Sequence, residues 1–152
     1  MIKVNVLCEE KSWSKKIKKK EELFNKICKY FPRKFRFVNK KVYLTLLLSN
    51  NKKIKFLNKK FRKKNKATDI LSFPFFDKKN LKKKMKSKKF YLGDIIISHE
   101  EFLKKNKNNY TNSFKKIFIH GFLHLLSFDH KSEKDYKTMN SLENLIFKKV
   151  KG

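Results

Sequence analysis

Three histidines, His120, His124 and His130, stand within one short stretch of sequence, HGFLHLLSFDH. The chain has only 4 histidines, and the first two of this stretch are four residues apart. On a helix that spacing places both side chains on one face, with Cβ atoms ~5–6 Å apart. Two imidazoles so placed could bind one ion at about 2.0–2.1 Å, and His130 could add a third ligand after the helix ends. A lone histidine on an apolar helix is usually a core residue, but three at ligand spacing predict a zinc site with a fourth position open to water.

The residue after His120 separates two kinds of hydrolase. The spacing also matches the HExxHxxGxxH arrangement of metzincin proteases, in which a Glu directly follows the first His and acts as general base. Gly121 occupies that position here. A phosphodiester can be cleaved with more of the work done by charge neutralisation. The missing Glu therefore favours phosphoester chemistry over peptide hydrolysis.

The histidine stretch resembles the HGxLHLxGYDH signature of the YbeY family, bacterial endoribonucleases that act in ribosomal RNA maturation. Residues 57–74 and 92–98 agree with this family in order and spacing, so the resemblance covers nearly the whole chain. It implies a zinc-dependent endoribonuclease that prefers single strands, acts at the 3′ end of the small-subunit ribosomal RNA and serves in ribosome quality control. The implied partners are ribosomal RNA and the small ribosomal subunit.

The resemblance also implies roles for individual residues. The three histidines match the ligands of one zinc ion, and Arg62 matches a functionally important arginine. A guanidinium can bind two phosphate oxygens at once, which Lys cannot; the alternative is that Arg62 is one more surface cation. Asp129 either orients a histidine ring next to the metal or caps the turn before Lys131. His99 lies outside the signature and is expected to be a surface residue at the start of a helix.

Two positions depart from the signature. Ser127 stands where the family usually has Gly, and Phe128 where it has Tyr. If this Gly adopts a left-handed backbone that releases the helix, Ser in its place costs roughly 1 kcal/mol. Phe128 lacks the hydroxyl of Tyr and any hydrogen bond that it makes.

The composition is strongly basic, with a net charge of +29. Such a charge suits a polyanion, because neutralising phosphates releases counterions and gives binding that ignores sequence. An equally good explanation is mutational drift in an A/T-rich genome, since Lys, Asn, Ile and Phe are all abundant and only Arg33, Arg36 and Arg62 are arginines. If RNA is the partner, we expect its backbone to be held by the basic loop of residues 77–89 and by Lys59, Lys60, Lys63, Lys64 and Lys66.

The pattern of apolar residues predicts the elements that must position these side chains. Strands are expected near residues 2–6, 41–48, 68–75 and 90–98, and Pro74 suggests that the third lies at an edge or ends there. Helices are expected near residues 12–31, 50–61, 98–106, 113–126 and 132–150. This predicts an α+β fold (an α/β sandwich) in a single domain, residues 1–152. An approximately four-stranded mixed sheet packs with about five helices, and one central buried helix carries the metal ligands.

The cysteines and the longest apolar run indicate where the protein is located. Cys8 and Cys28 lack metal or disulfide spacing, which indicates reduced thiols in a cytoplasmic protein. The longest apolar run is far below the ~20 residues of a membrane span.

A rival interpretation is a non-catalytic ribosome-assembly factor that binds ribosomal RNA and uses zinc only to stabilise its fold.

Overall fold

A four-stranded mixed sheet forms the centre of the computed structural model, which describes residues 1–151. The strands are β1 (Ile2–Cys8), β2 (Lys41–Ser49), β3 (Ile70–Pro74) and β4 (Lys89–Ser98). Their order across the sheet is β1-β2-β4-β3. The first three strands in this order run parallel, and β3 pairs antiparallel with β4 at the edge. The predicted α+β class and mixed sheet are confirmed, as is the edge position of the strand that Pro74 ends.

Eight helices accompany the sheet within residues 1–151. They are α1 (Ser12–Lys16), α2 (Lys20–Lys29), α3 (Arg33–Arg36), α4 (Asn51–Arg62), α5 (Lys78–Lys84), α6 (His99–Lys105), α7 (Tyr110–Leu125) and α8 (Glu133–Lys151). None of these helices is long and apolar enough to cross a bilayer.

The expected number of about five helices is too low for three reasons. The short helix α3, which begins directly after Pro32, was not predicted. The predicted helix over residues 12–31 is interrupted, because Ile17 adopts an extended backbone (φ −129°, ψ 108°) that ends α1. The basic segment 77–89, predicted to be a loop, contains α5. There the Asp77 side chain accepts a hydrogen bond from the backbone N–H of Asn80 and caps the helix, while Leu81 anchors it in the core. Lys is a good helix former, so one cap and one apolar anchor suffice to order this basic segment.

The two faces of the sheet are covered by different helices. Leu44, Leu46 and Leu48 alternate along β2 and are fully buried on the face that α7 covers. The other face carries Leu47 of the same strand, and α4 packs there through Ile54 onto Leu71 of β3. Alternation with a period of two thus assigns each strand residue to one layer.

Helix α7 is the most deeply buried helix of the fold. Seven of its residues are buried, among them Phe114, Phe118 and Phe122. These rings pack against aromatic side chains of α1, α2, α3 and the connection between α2 and α3; the ring centroids of Phe24 and Phe118, for example, lie 5.0 Å apart. Gly121 is the point of closest approach to the sheet, since a Cβ atom there would lie 2.9 Å from Cδ1 of Ile70. A larger residue at that position would require the side chains of Ile70 and Ile95 to move.

Candidate metal centre

The end of α7 positions the three histidines. His120 and His124 lie on its last turns, on the side that Gly121 and the buried phenylalanines leave free. After Leu126, the C-cap residue, Ser127 adopts a left-handed conformation with φ 68°, and its N–H donates to the carbonyl of His124. This reversal of the chain brings His130 back toward the helix. The left-handed backbone, considered above as a condition for the Gly of the family signature, is the conformation that Ser127 adopts.

The histidine side chains converge on one point. Their ligand nitrogens all lie within 4.8 Å of one another, and Nε2 of His120 is 3.1 Å from Nε2 of His124. Two nitrogens at 2.0–2.1 Å from a tetrahedral zinc ion are about 3.3 Å apart, so this pair already has the required spacing. Imidazole ligands suit zinc but also copper, iron and nickel. The three side chains could therefore hold a metal ion, and the geometry leaves the choice of metal open.

A carboxylate from the last helix supports the cluster. Oε1 of Glu143, on α8, lies 2.5 Å from Nδ1 of His120. A carboxylate only accepts hydrogen bonds, so Nδ1 of His120 carries the proton and the lone pair of Nε2 faces the other histidines. Histidines that bind metals commonly have such a partner, which fixes the tautomer and the ring orientation. Glu143 was not among the residues predicted from the sequence. The one feature of the sequence that marks it is that it is an acidic residue in a helix whose inner face is apolar.

The electrostatic environment keeps His124 neutral. Burial lowers the pKa of His124 below its ordinary value of 6.5, and the neighbouring His120 and His130 lower it further. Smaller opposing effects come from Asp129 and from a hydrogen bond to the backbone of Phe128. Because metal ions bind the unprotonated imidazole, the low pKa favours a ligand at neutral pH.

The histidines open onto a cleft of about 470 Å³ between β3 and the turn after α7. Arg62, the last residue of α4, and Lys78, the first residue of α5, contribute the cations of its lining, while Asp69 and Asp129 contribute carboxylates. The cleft therefore joins a potential metal position to two cationic side chains, an arrangement that suits an anionic ligand.

Arg62 is held in place at the edge of this cleft. Its Nη2 donates a hydrogen bond of 2.9 Å to the carbonyl of Ser72, and its guanidinium lies 5.9 Å from the ring centroid of Phe73. Ser72 in turn donates to the carbonyl of Gly121 on α7. One donor of Arg62 is thus used within the protein, and the other donors of its guanidinium remain available to a bound phosphate.

The structure separates the two roles considered for Asp129. Its Oδ1 accepts a hydrogen bond of 2.8 Å from the backbone N–H of His130, which also lowers the pKa of Asp129. Its other oxygen lies 3.8 Å from Nζ of Lys131. This geometry is that of a capped turn, and the carboxylate in contact with a histidine ring is that of Glu143.

The five lysines expected to bind RNA lie beside the cleft but do not line it. Lys59 and Lys60 are on the last turn of α4, and Lys63, Lys64 and Lys66 follow in the connection to β3; all are exposed. Lys78 is the lysine that does line the cleft. It belongs to the basic segment 77–89, which sequence reasoning also expected to bind RNA.

The prediction for His99 needs one correction. It is the first residue of α6, as expected, but it is half-buried rather than a surface residue. Its ring packs edge-on against Trp13, with centroids 4.8 Å apart, and its Nε2 is buried without a hydrogen-bond partner among the described residues. Burial accordingly lowers the pKa of His99.

Comparisons with known proteins agree with one another. A family model described as endoribonuclease YbeY matches residues 6–151. The endoribonuclease YbeY of Pelagibacter ubique is 56% identical over 155 residues, covering 99% of this chain and 97% of the relative. That of Mycoplasmopsis pulmonis is 36% identical, covering 84% and 85%, and that of Ehrlichia canis is 30% identical, covering 99% and 93%. A solution structure from Thermotoga maritima shares the fold, with a TM-score of 0.55 at 23% identity and coverage of 99% and 89%.

Proposed function

The chain belongs to the endoribonuclease YbeY family, and we propose that it is a zinc-dependent endoribonuclease that prefers single-stranded RNA. Its substrate in this proposal is ribosomal RNA at the 3′ end of the small subunit, and its role includes ribosome quality control in the cytoplasm. The single domain of residues 1–152 would carry the whole activity. The observation that supports this most strongly is the convergence of three histidine nitrogens within 4.8 Å in a cleft that Arg62 and Lys78 also line.

Zinc fits the donor set of this site. His120, His124 and His130 would hold it through neutral nitrogens and leave one position free, as in catalytic rather than structural zinc sites. When bound, zinc would supply positive charge beside the phosphate and lower the pKa of a bound water.

The protein's own residues then divide the remaining work. Arg62 binds two oxygens of the scissile phosphate and neutralises the charge that develops on them in the transition state. Lys78 holds an adjacent phosphate. Glu143 keeps the ring of His120 oriented and, by accepting from Nδ1, leaves Nε2 as the nitrogen that faces the metal position. The carboxylates of the cleft lining are Asp69 and Asp129. In each, Oδ1 accepts from the backbone N–H of the next residue, and Oδ2 is the oxygen that can accept a proton from the attacking water.

The packing at Gly121 argues against a peptidase. A metzincin would need a Glu at this position, but even a Cβ atom would meet Ile70 at 2.9 Å and Ile95 at 3.1 Å. A Glu after the first histidine would therefore displace these isoleucine side chains and would point toward the sheet rather than toward the metal position.

The decisive experiment combines cleavage of RNA with measurement of bound zinc. The substrate is a ribosomal RNA fragment with a single-stranded 3′ extension, incubated with and without a chelator. The His120→Ala, His124→Ala and His130→Ala variants should lose stoichiometric zinc and cleavage. His99→Phe, which alters the one histidine outside the cluster, should keep both.

Two outcomes would contradict parts of this proposal. One zinc ion per chain in His120→Ala would show that the ligands are assigned wrongly. Failure of the zinc-loaded protein to cut any RNA, together with unfolding on chelation, would instead identify a zinc-stabilised assembly factor. Cleavage should also fall steeply with salt if phosphates are bound by cations.

A further inference from the structure

A groove with exposed aromatic rings lies on the face of the sheet opposite α7. Helix α4 covers only part of this face, and beside it a cavity of about 510 Å³ is lined by apolar side chains from all four strands and from α4. Phe61 and Phe75 stand at the groove with 59% and 64% of their surface exposed. Large exposed aromatic side chains that share one groove generally mark a binding surface.

The aromatic rings are held in place rather than loosely exposed. Phe61 packs edge-on against Phe73, with ring centroids 5.4 Å apart. Phe75 packs against Tyr91 at 5.6 Å, and its backbone N–H donates to the carbonyl of Leu92. Each ring is thus held by an aromatic neighbour, while more than half of its surface remains open to solvent.

Cations lie beside Phe61 and Phe73, and one lysine lines the groove. Nζ of Lys60 lies 5.4 Å from the ring centroid of Phe61, Lys53 lines the groove, and the guanidinium of Arg62 lies over Phe73. Asp94 is the one acidic residue of the lining, and its carboxylate accepts a hydrogen bond from the hydroxyl of Tyr91. Exposed aromatic faces beside positive charges are the combination that binds single-stranded nucleic acid, in which bases stack and phosphates pair with cations.

The groove is continuous with the metal centre. Pro74 lines both the groove and the histidine cleft. Arg62 lines the cleft, while its guanidinium rests on Phe73, which lines the groove. The edge strand β3 thus lies between the two cavities. An RNA strand bound at the histidines could pass over β3 directly into the groove.

The charge of the protein argues against a second copy as the occupant of the groove. With a net charge of +29, two copies that met at a groove rimmed by lysines would repel each other. A polyanion gains from the same charges.

We propose that this groove, with Phe61 and Phe75 as its stacking surfaces, binds bases of single-stranded RNA that flank the phosphate at the metal centre. This inference rests on the proposed nuclease function. It adds a base-stacking site that would explain a preference for single strands, since paired bases cannot stack on protein rings.

A tryptophan placed in the groove tests the proposal directly. Trp13, the chain's one tryptophan, is fully buried and provides a constant background. The emission of Phe75→Trp should be quenched by a single strand, read in a stopped-flow instrument before cleavage begins, and not by a duplex of the same sequence. Unchanged emission, or equal quenching by the duplex, would overturn the proposal.

Alanine variants measure the contribution of each ring. Phe61→Ala and Phe75→Ala, in the zinc-loaded full chain, should each weaken binding of the single strand by about 5-fold to about 150-fold. Tyr30→Ala is the matched control, because Tyr30 is an aromatic residue of similar exposure (52%) that follows α2. Affinities unchanged by the groove variants, or lowered equally by the control, would overturn the proposal. So would a wild-type dimer that Phe61→Ala dissociates.

The readouts distinguish this proposal from the nuclease function itself. Cleavage of a short oligonucleotide that reaches only the histidine cleft should be unaffected by the groove variants. If cleavage by the wild type fails, the nuclease function is wrong whatever the groove binds. If cleavage succeeds but the groove variants bind long strands normally, only the stacking site is wrong.

Discussion

Replacing Glu143 should weaken metal binding although Glu143 is not itself a ligand. Its carboxylate lies 2.5 Å from Nδ1 of His120 and holds Nε2 toward the other two histidines. Loss of such a partner typically costs 10–100-fold in metal affinity. Both side chains are partly exposed, at 31% for His120 and 28% for Glu143, so water screens and partly replaces the interaction. In Glu143→Gln an oxygen can still accept from Nδ1, and we expect about a 10-fold loss; Glu143→Ala should approach about 100-fold.

The assay is a competition for zinc between the protein and a chromophoric chelator at constant pH and ionic strength. Glu133→Gln is the matched control, since it removes the same charge from the same helix at a side chain that is 84% exposed and pairs only with Lys137. Equal zinc affinities for Glu143→Gln and Glu133→Gln would refute the reasoning. Circular dichroism of each variant would show that the fold is retained.

Three further predictions concern other parts of the molecule. Arg62→Ala should slow single-turnover cleavage by roughly 10²–10³-fold. Arg62→Lys should restore only part of the rate, because Lys cannot bind two phosphate oxygens. Full activity of Arg62→Ala would exclude a role of Arg62 in stabilising the transition state. Ser127→Gly should raise the free energy of unfolding by about 1 kcal/mol in urea denaturation of the chelated protein, since it removes the cost of the left-handed backbone; an unchanged or lower value would contradict this. Burial lowers the pKa of His99 in the folded protein below the ordinary histidine value of 6.5. As the pH falls below 6.5, His99 therefore binds a proton in the unfolded chain but not in the folded one, and the free energy of unfolding should fall. His99→Phe should flatten this dependence in thermal unfolding followed by Trp13 fluorescence, and a slope equal to that of the wild type would argue against burial of His99.

Local sequence indicated the four strands, most of the helices and the histidines that could bind a metal. Alternating apolar residues predicted β1, because the side chains of a strand point to opposite faces, and a short apolar run with β-branched and aromatic residues predicted β2. The spacing of His120 and His124 predicted a shared face, because that relation depends only on helical geometry. The Gly of the family signature raised a left-handed backbone at position 127 only as a condition, and Ser127 has that conformation. Helix α5 was missed, because a run of lysines carries no apolar pattern and its cap and its anchor, Asp77 and Leu81, are single residues.

Packing between distant segments decided the rest. Several acidic residues of α8 could in principle have faced α7, and only the way the two helices pack places Glu143, rather than Glu133, against His120. Asp129 is adjacent to a ligand in sequence, yet its carboxylate is used by the backbone of the turn. Likewise, the exclusion of a Glu after His120 depends on Ile70 and Ile95, which lie far away along the chain. The sequence determined which residues could bind a metal, because that depends on chemistry and local spacing. Only the tertiary structure decided what supports them, because hydrogen bonds and close packing join residues whose positions the local sequence does not relate.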